Sequence, residues 1–328
     1  MSTASPNLTA THALAHGALT RWAVPPDAAL RLINVSENIT YLVEADGWRS
    51  ILRVHRPGYH SHRAIECELA WMAALARESE VATPEVIPGK DGAAIQSFDD
   101  GDNDRRHMVM FAFIDGEAPD EACDLTPAFR TLGAMAAATH RHSISWQRPA
   151  PFERLTWDET AVFGSAATWG NWRAAPNLTA DAAEVLEEVE ATVIRRLAGY
   201  GKSAERYGLI HADMRLANLI ITPRGPRLID FDDCGFGWFM YDFAAAISFI
   251  EDSPQIPAMQ AAWVAGYRTI RSLTAEDEAE IPTLIMLRRM ALLAWIGSHI
   301  DAPEPQALAP DFARVSADLG RVWLKALA

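Results

Sequence analysis

Three polar side chains in one short stretch, Asp213, Asn218 and Asp230, have the types and spacing that phosphoryl transfer requires. A transferred phosphoryl group carries charge on its non-bridging oxygens, so an enzyme mainly positions it and neutralises it with cations held by carboxylate and amide oxygens. A further carboxylate orients the attacking hydroxyl. Apolar runs at 219–221 and 228–231 flank a Pro-Arg-Gly-Pro turn, which predicts a hairpin that delivers all three side chains to one end.

The complete pattern has His-Ala-Asp at 211–213, Asn218, and Asp-Phe-Asp at 230–232, and it resembles the protein-kinase-like fold. Protein kinases carry His-Arg-Asp and Asp-Phe-Gly in these places. This chain is more similar to the His-Gly-Asp and Ile-Asp-Phe-x-Asp forms of the aminoglycoside phosphotransferase and choline kinase superfamily. Within that superfamily, the run 229–235 and Tyr-Asp at 241–242 resemble the homoserine kinase type II and bacterial stress-response kinase subgroup.

This resemblance implies a set of roles in the reaction. Asp213 and His211 are the expected catalytic residues, with Asp213 orienting and deprotonating the acceptor hydroxyl. Asn218 and Asp230 are the expected ligands of Mg²⁺ on ATP. Asp242 matches an aspartate of relatives that hydrogen-bonds the catalytic loop, so its loss is expected to unseat His211 and Asp213.

The resemblance also implies an α+β, bilobal protein-kinase-like fold, with a small antiparallel β-sheet lobe and a larger, mainly helical lobe. A length of 328 residues suits two lobes, and strand-like patterns give way to helical periodicity after residue 120. We expect a flexible leader at 1–25, a β-rich nucleotide-binding lobe at 26–114, and a helical catalytic and substrate lobe at 115–328. ATP is expected to bind between the lobes.

At one position expected to contact the nucleotide, this chain has an arginine where the family has a lysine. The position of the phosphate-anchoring lysine falls at Arg53, which keeps the charge and adds a planar fork for phosphate oxygens. A helix predicted at 62–76 offers Glu68 as the matching partner, so we expect an ion pair between Arg53 and Glu68. The alternative is a solvated strand arginine.

The remaining nucleotide contacts follow from order along the chain. The loop after the first strand has no glycine, but Ser36 and Asn38 could donate hydrogen bonds to phosphate; the alternative is an ordinary turn. The apolar run 107–114 matches the strand that leads into the kinase hinge, which places Phe111 and Phe113 nearest the adenine.

Composition narrows the partners and the compartment. Acidic residues outnumber basic ones by 43 to 29, a formal charge of −14, so nucleic acid is not an expected partner. Three widely spaced cysteines argue against disulfides or a zinc site and favour a reducing, cytoplasmic location. Residues 1–11 show no signal-peptide pattern. The most apolar stretch, 281–300, contains two arginines and is expected to be a buried helix and not a membrane span.

Other features of the large lobe allow less specific expectations. His140 is expected to be a structural histidine. The tryptophan-rich segment 152–177 either packs in the core or provides aromatic faces for a cationic amine. Asp232 serves either the surroundings of the metal or a substrate amine. The three prolines in 302–310 predict a loop between the last two helices.

Together these features predict a kinase, an ATP- and Mg²⁺-dependent phosphotransferase whose acceptor is the hydroxyl of a small amino alcohol, homoserine-like or aminoglycoside-like molecule. Two alternatives remain, a Ser/Thr protein kinase of the stress-response type and a catalytically weak pseudokinase or nucleotide-binding module. The short segment from Asp230 to Tyr241 counts against the first, and the complete set of Asp213, Asn218 and Asp230 counts against the second. The acceptor, the nucleotide preference and the oligomeric state do not follow from the sequence.

Overall fold

The computed structural model describes residues 8–35, 38–99, 105–120 and 122–328. The chain divides into two compact units. The first unit comprises Met1–Arg77, Ala82–Gly116 and Arg148–Glu153, and the second comprises Glu78–Val81, Glu117–Gln147 and Arg154–Ala328. The return of 148–153 to the first unit was not predicted, and the functional lobe limits at 26–114 and 115–328 remain predictions.

The first unit is built on a six-stranded antiparallel sheet with the strand order β1-β2-β3-β6-β4, in which β5 also pairs with β6. A two-residue turn at Asp46 and Gly47 joins β2 to β3, and Gly47 adopts the positive φ of 68° that such a turn needs. The elements are α1 (Leu8–Ala18), β1 (Ala29–Val35), β2 (Asn38–Ala45), β3 (Trp48–His55), α2 (His62–Glu78), β4 (Val86–Ile87), β5 (Ile95–Asp99) and β6 (Arg105–Ala112).

The expectation of a loose leader at 1–25 is wrong for residues 8–22. The small faces of Ala15 and Ala18 bring α1 into the apolar core of the first unit, beside Tyr41. Trp22 is fully buried, and its indole N–H donates to the carbonyl oxygen of Ile87 at 3.0 Å. A short alanine-rich helix buries mainly small side chains, so its sequence gave little sign that it packs on the sheet.

The second unit is mainly helical and carries two small sheets. One is the hairpin β9-β10, and in the other β11 pairs parallel with β7 and antiparallel with β8. The elements are α3 (Thr126–Ser145), β7 (Leu155–Thr156), α4 (Glu159–Phe163), α5 (Ala180–Tyr200), β8 (Tyr207–Ile210), β9 (Leu219–Thr222), β10 (Gly225–Leu228), β11 (Gly235–Trp238), α6 (Tyr241–Ala246), α7 (Ile256–Tyr267), α8 (Ala275–Ala279), α9 (Ile281–Ser298) and α10 (Pro303–Leu327).

Helices α3 and α7 approach each other closely because each places a glycine at their contact. A Cβ added at Gly133 of α3 would overlap the carbonyl oxygen of Trp263, and one added at Gly266 of α7 would overlap that of Arg130. Both glycines therefore let backbone pack against backbone. The contact brings His140 on α3 within hydrogen-bond distance of Tyr267 at the end of α7.

Helix α9 is the core helix of the second unit and contacts α5, α6 and α10. Among the described residues it is the one helix long and apolar enough to cross a membrane, but 78% of its 18-residue window is buried inside the protein. The expectation of a buried helix is therefore confirmed. The loop expected at 302–310 is wrong: α10 begins at Pro303 and continues past Pro310, because prolines in the first turn lose no intrahelical bond and only Pro310 interrupts the ladder.

Candidate active site

The predicted hairpin forms and aligns the two expected metal ligands. Leu219 pairs with Leu228 at its open end, and the N–H of Ile229 donates to the carbonyl oxygen of Asn218 at 3.0 Å. The second strand ends at Leu228, earlier than the predicted residue 231, because Asp230 has a φ of 60° and leaves the extended conformation. Asn218 and Asp230 consequently lie at the same end of the hairpin.

Asn218 contacts Asp213 directly and is oriented by it. Its amide nitrogen donates to the backbone oxygen of Asp213 and to Oδ2 of the same residue, both at 2.8 Å. With the nitrogen engaged, Oδ1 of Asn218 is the atom left to coordinate a cation. The predicted trio is therefore brought together within the second unit.

The oxygen atoms of Asn218 and Asp230 are suitable ligands for a hard divalent cation. In the described part of the chain, no group of three or more His, Cys, Asp or Glu side chains is arranged to hold a metal by itself. Two protein oxygens fit Mg²⁺, which keeps several waters and is usually shared with the phosphates of a nucleotide.

Two arginines that sequence reasoning did not assign to the site also contact Asp213. Nη2 of Arg288, on α9, lies 3.2 Å from Oδ1 of Asp213, and Nε of Arg215 lies 3.5 Å from the same oxygen. Arg215 also pairs with Glu304 at 3.3 Å and is partly exposed, whereas Arg288 is buried. Both carboxylate oxygens of Asp213 are therefore held by cationic or amide donors.

His211 is buried, and both of its ring nitrogens contact backbone groups. Its Nε2 donates to the carbonyl oxygen of Ile229 at 3.0 Å, and its Nδ1 accepts from the N–H of Asp213 at 3.2 Å. The ring also meets the edge of Phe231, with centroids 4.5 Å apart. His211 thus ties the loop that carries Asp213 to the segment that carries Asp230.

Asp242, at the start of α6, holds the backbone of the same loop as expected. Its Oδ1 accepts from the N–H of Ala212 at 2.6 Å and its Oδ2 from the N–H of His211 at 3.2 Å. These bonds fix Ala212 at a φ of 64°, a conformation that alanine rarely adopts. Asp242 therefore supports a strained turn next to Asp213.

Behind Asp242 lies a buried hydrogen-bond chain that sequence reasoning missed. Nε2 of His140 lies 2.9 Å from Oδ2 of Asp242, and Nδ1 of His140 lies 3.1 Å from the hydroxyl of Tyr267. Tyr267 in turn accepts from Nη1 of Arg271 at 2.9 Å. Burial lowers the pKa of His140, so the ring is neutral and its Nε2–H donates a hydrogen bond to Asp242. His140 is therefore structural, as expected, and orients a residue of the loop.

In the first unit, the predicted ion pair between Arg53 and Glu68 forms. Nη2 of Arg53 on β3 lies 2.6 Å from Oε1 of Glu68 on α2, and both side chains are buried. The guanidinium also lies 5.1 Å from the centroid of the Phe111 ring on β6. Glu66, on the same helix, is exposed and pairs with Arg63 instead.

The other residues predicted to contact the nucleotide, Ser36, Asn38 and Phe113, lie in different structural positions. Ser36 lies outside the described residues. Asn38 begins β2, is buried and is aligned with His55 across the ladder. Phe113 follows the end of β6, and its ring lies 4.3 Å from the guanidinium carbon of Arg49. The nucleotide contacts of these residues remain predictions.

The tryptophan-rich segment is mostly core, as the first of its two interpretations proposed. Trp157 and Trp172 are buried and donate their indole N–H groups to Asp233 O and Glu190 Oε2, both at 2.7 Å. Trp169 differs because its ring lies 5.1 Å from the guanidinium of Arg288. One aromatic side chain of the segment therefore lies beside a residue that contacts Asp213.

Comparison with known proteins agrees with this geometry. The profile of a phosphotransferase enzyme family matches residues 30–277, so the chain belongs to that family. Among solved structures, a microcompartment-associated aminopropanol kinase is 45% identical with a TM-score of 0.89, over 96% of this chain and 98% of that one. The amicoumacin kinase of Bacillus subtilis is 23% identical over 284 residues, 83% of this chain and 81% of that protein.

A further solved structure supports the fold alone. An amicoumacin kinase in complex with AMP-PNP and Ca²⁺ is 19% identical, with a TM-score of 0.77 over 93% of this chain and 92% of that one.

The predicted family, the α+β kinase-like fold and the enzyme class are confirmed by these comparisons. The chain is a kinase acting on the hydroxyl of a small molecule.

Proposed function

We propose that this protein transfers the γ-phosphoryl group of ATP, with Mg²⁺, to the hydroxyl of a small amino alcohol. The observation that carries the proposal is the 45% identity, across nearly the whole of both chains, to a protein named as an aminopropanol kinase. We favour an amino alcohol over homoserine or an aminoglycoside as the acceptor because of this similarity.

In this proposal Asp213 accepts a hydrogen bond from the acceptor hydroxyl and takes its proton as the oxygen attacks the γ-phosphorus. The bond from that phosphorus to the bridging oxygen breaks, ADP leaves, and the proton passes from Asp213 to solvent. Asn218 and Asp230 would hold Mg²⁺, which would supply charge neutralisation at the phosphates. His211 acts as a positioning residue, because both of its ring nitrogens are engaged by backbone groups.

The nucleotide is held, in the same proposal, by the residues predicted from chain order. Arg53 contacts the α and β phosphates, and the buried carboxylate of Glu68 fixes its guanidinium. Phe111 and Phe113 lie near the adenine. We place the enzyme in the cytoplasm because its three cysteines are all free thiols.

An amine on the acceptor suits the acidic character of the segment that carries the site. Asp213, Asp230, Asp232 and Asp233 lie within 21 residues of one another, and Trp169 adds an aromatic ring on the side of Arg288. Carboxylates and aromatic faces both favour an ammonium group. The overall charge of −14 acts in the same direction at longer range.

An ATP-consumption assay across hydroxyl compounds tests the proposal. The panel contains 1-amino-2-propanol, ethanolamine, choline, homoserine, an aminoglycoside and a serine-containing protein, each with Mg²⁺ or Ca²⁺. We expect the highest kcat/KM for the short amino alcohols with Mg²⁺, and a loss of about 10²–10⁴-fold in the Asp213→Ala variant. Equal turnover by that variant, or transfer to the protein alone, would show that the proposal is wrong.

A further inference from the structure

Arg288 and Arg289 are consecutive residues on α9, equally buried, yet they occupy different kinds of site. Arg289 donates to Ser316 through Nε, to Glu251 through Nη1 at 2.5 Å, and to the carbonyl oxygen of Phe312 through Nη2. All three of its nitrogens are therefore satisfied by groups of the helical core. This is the arrangement expected of an arginine that stabilises packing.

Arg288 instead extends toward the loop that carries the reacting groups. Its Nε donates to Ser248 at 3.0 Å and its Nη2 to Oδ1 of Asp213 at 3.2 Å. Arg288 therefore bonds to a residue of the candidate site, whereas the bonds of Arg289 go to Ser316, Glu251 and Phe312 in the helical core.

The electrostatic argument leads to the same residue. A buried guanidinium is costly unless a carboxylate neutralises it, and Asp213 is the one carboxylate within ion-pair distance of Arg288 in the described ranges. The rings of Trp169 and Tyr241, at 5.1 and 5.8 Å from its central carbon, restrict its position further. Arg288 is therefore held rigidly while it contacts one oxygen of a carboxylate whose other oxygen is held by Asn218.

We propose that Arg288 is a positioning residue of the phosphoryl transfer, which fixes the plane of the Asp213 carboxylate against the acceptor hydroxyl. The inference rests on the proposed function, since it assigns a supporting role to the group that receives the proton. Two donors on opposite oxygens prevent rotation of the carboxylate, and the remaining lone pairs then point in set directions. Arg215 contacts the same oxygen from a more exposed position and cannot supply this rigidity alone.

A double-mutant cycle between Arg288 and Asp213 tests this role. The variants are Arg288→Met, Arg288→Lys, Asp213→Asn and the two double variants, with Arg289→Met as the matched control from the same helix. Transfer of radiolabelled phosphate from ATP to 1-amino-2-propanol gives kcat and KM. We expect Arg288→Met to lower kcat about 10²-fold with both KM values within about 3-fold, because orientation matters for chemistry more than for binding.

The conservative variant and the cycle distinguish positioning from folding. The kcat of Arg288→Lys should be at least about 5-fold higher than that of Arg288→Met. On the Asp213→Asn background, Arg288→Met should lower kcat by no more than about 2-fold, because the carboxylate that Arg288 orients is already gone. Arg289→Met should lower the melting temperature while kcat stays within 3-fold. If Arg288→Met does not fold, the Arg288→Lys cycle gives the same comparison.

The outcomes separate this inference from the proposed function. The positioning role would be overturned if the loss of kcat in the double variant equalled the product of the losses in the two single variants. Equal losses of kcat in Arg288→Met and Arg289→Met would overturn it as well. Absence of any transfer by the wild-type protein, or wild-type kcat in Asp213→Asn, would instead overturn the proposed function.

Discussion

Each unit contains a buried arginine that pairs with a carboxylate, and the two pairs differ in the burial of that carboxylate. In the first unit, Arg53 and Glu68 are 2.6 Å apart, and their side chains are 6% and 0% exposed. In the second unit, Arg288 and Asp213 are 3.2 Å apart, and their side chains are 3% and 14% exposed. The acid is the hidden partner in the first pair and the accessible partner in the second.

This difference indicates that the carboxylate orients the arginine in the first pair, whereas the arginine orients the carboxylate in the second. Glu68 is closed off from solvent and holds the arginine, which makes Arg53 the group of this pair that would meet a ligand. Asp213 is open to solvent on one side, so Arg288 serves to hold the acid, which would meet the acceptor. Loss of Arg53 should therefore appear as lost stability and weaker ATP binding, whereas loss of Arg288 should appear as lost rate.

The largest effect on rate is expected when the accessible acid is neutralised. Asp213→Asn keeps the shape of the side chain but removes the proton acceptor, so kcat should fall by about 10²–10⁴-fold, the range that general base catalysis contributes. Steady-state kinetics with ATP and an amino alcohol measure the effect, and circular dichroism confirms the fold. A fall of less than about 10-fold would mean that Asp213 only binds the acceptor.

The next effect concerns the residue that holds the backbone of the same loop. In Asp242→Asn, an amide nitrogen must face one of three donors: the N–H of Ala212, the N–H of His211, or Nε2 of His140. We expect a loss of about 2–4 kcal/mol in the free energy of unfolding, because one buried donor loses its acceptor. The displaced loop should also lower kcat, by about 10-fold or more.

Urea unfolding and steady-state kinetics on the same preparation measure both quantities for Asp242→Asn. Asp252→Asn is a suitable control, because Asp252 lies in the same unit but contributes to none of these three bonds. Unchanged stability together with unchanged kcat would show that the three bonds to Asp242 do not hold the loop.

The hidden acid of the first unit gives the third prediction. Arg53→Met leaves the carboxylate of Glu68 buried without its cation, which should cost about 3–5 kcal/mol of unfolding free energy. If Arg53 grips phosphate, the KM for ATP should also rise about 10-fold. Arg105→Met is the control, because its pair with Asp99 is exposed and worth less than about 1 kcal/mol. An unaltered ATP affinity would remove Arg53 from the proposed nucleotide site.

The contrast between the two pairs also explains what could be predicted from the sequence. Arg53 and Glu68 are 15 residues apart on adjacent elements, so chain order within a familiar fold was enough to pair them. The contact between Asp213 and Asn218 was predictable for the same reason, because one loop carries both. Local spacing carries information about local contacts.

Contacts across long stretches of chain left no such signal. Arg288 lies 75 residues after Asp213, on a helix that is apolar on every side. From the sequence, its two arginines argue against a membrane span but do not indicate a contact with Asp213. The chain from Tyr267 through His140 to Asp242 joins three helices, with partners 127 and 102 residues apart. Only packing of α3 on α7, which two glycines permit, brings these side chains together.

The smallest effect is expected at the strained turn beside Asp213. Ala212 has a φ of 64°, which costs an L-residue about 1–2 kcal/mol, and glycine adopts it freely but loses about 0.5–1 kcal/mol more backbone entropy on folding. Ala212→Gly should therefore raise the free energy of unfolding by at most about 1 kcal/mol and leave kcat within 2-fold. Ala212→Val should lower both, since a β-branched side chain tolerates this conformation less well. If Ala212→Gly lowered kcat strongly, the alanine methyl would have to hold Asp213 in place, in addition to the support that Arg288 and Asn218 provide.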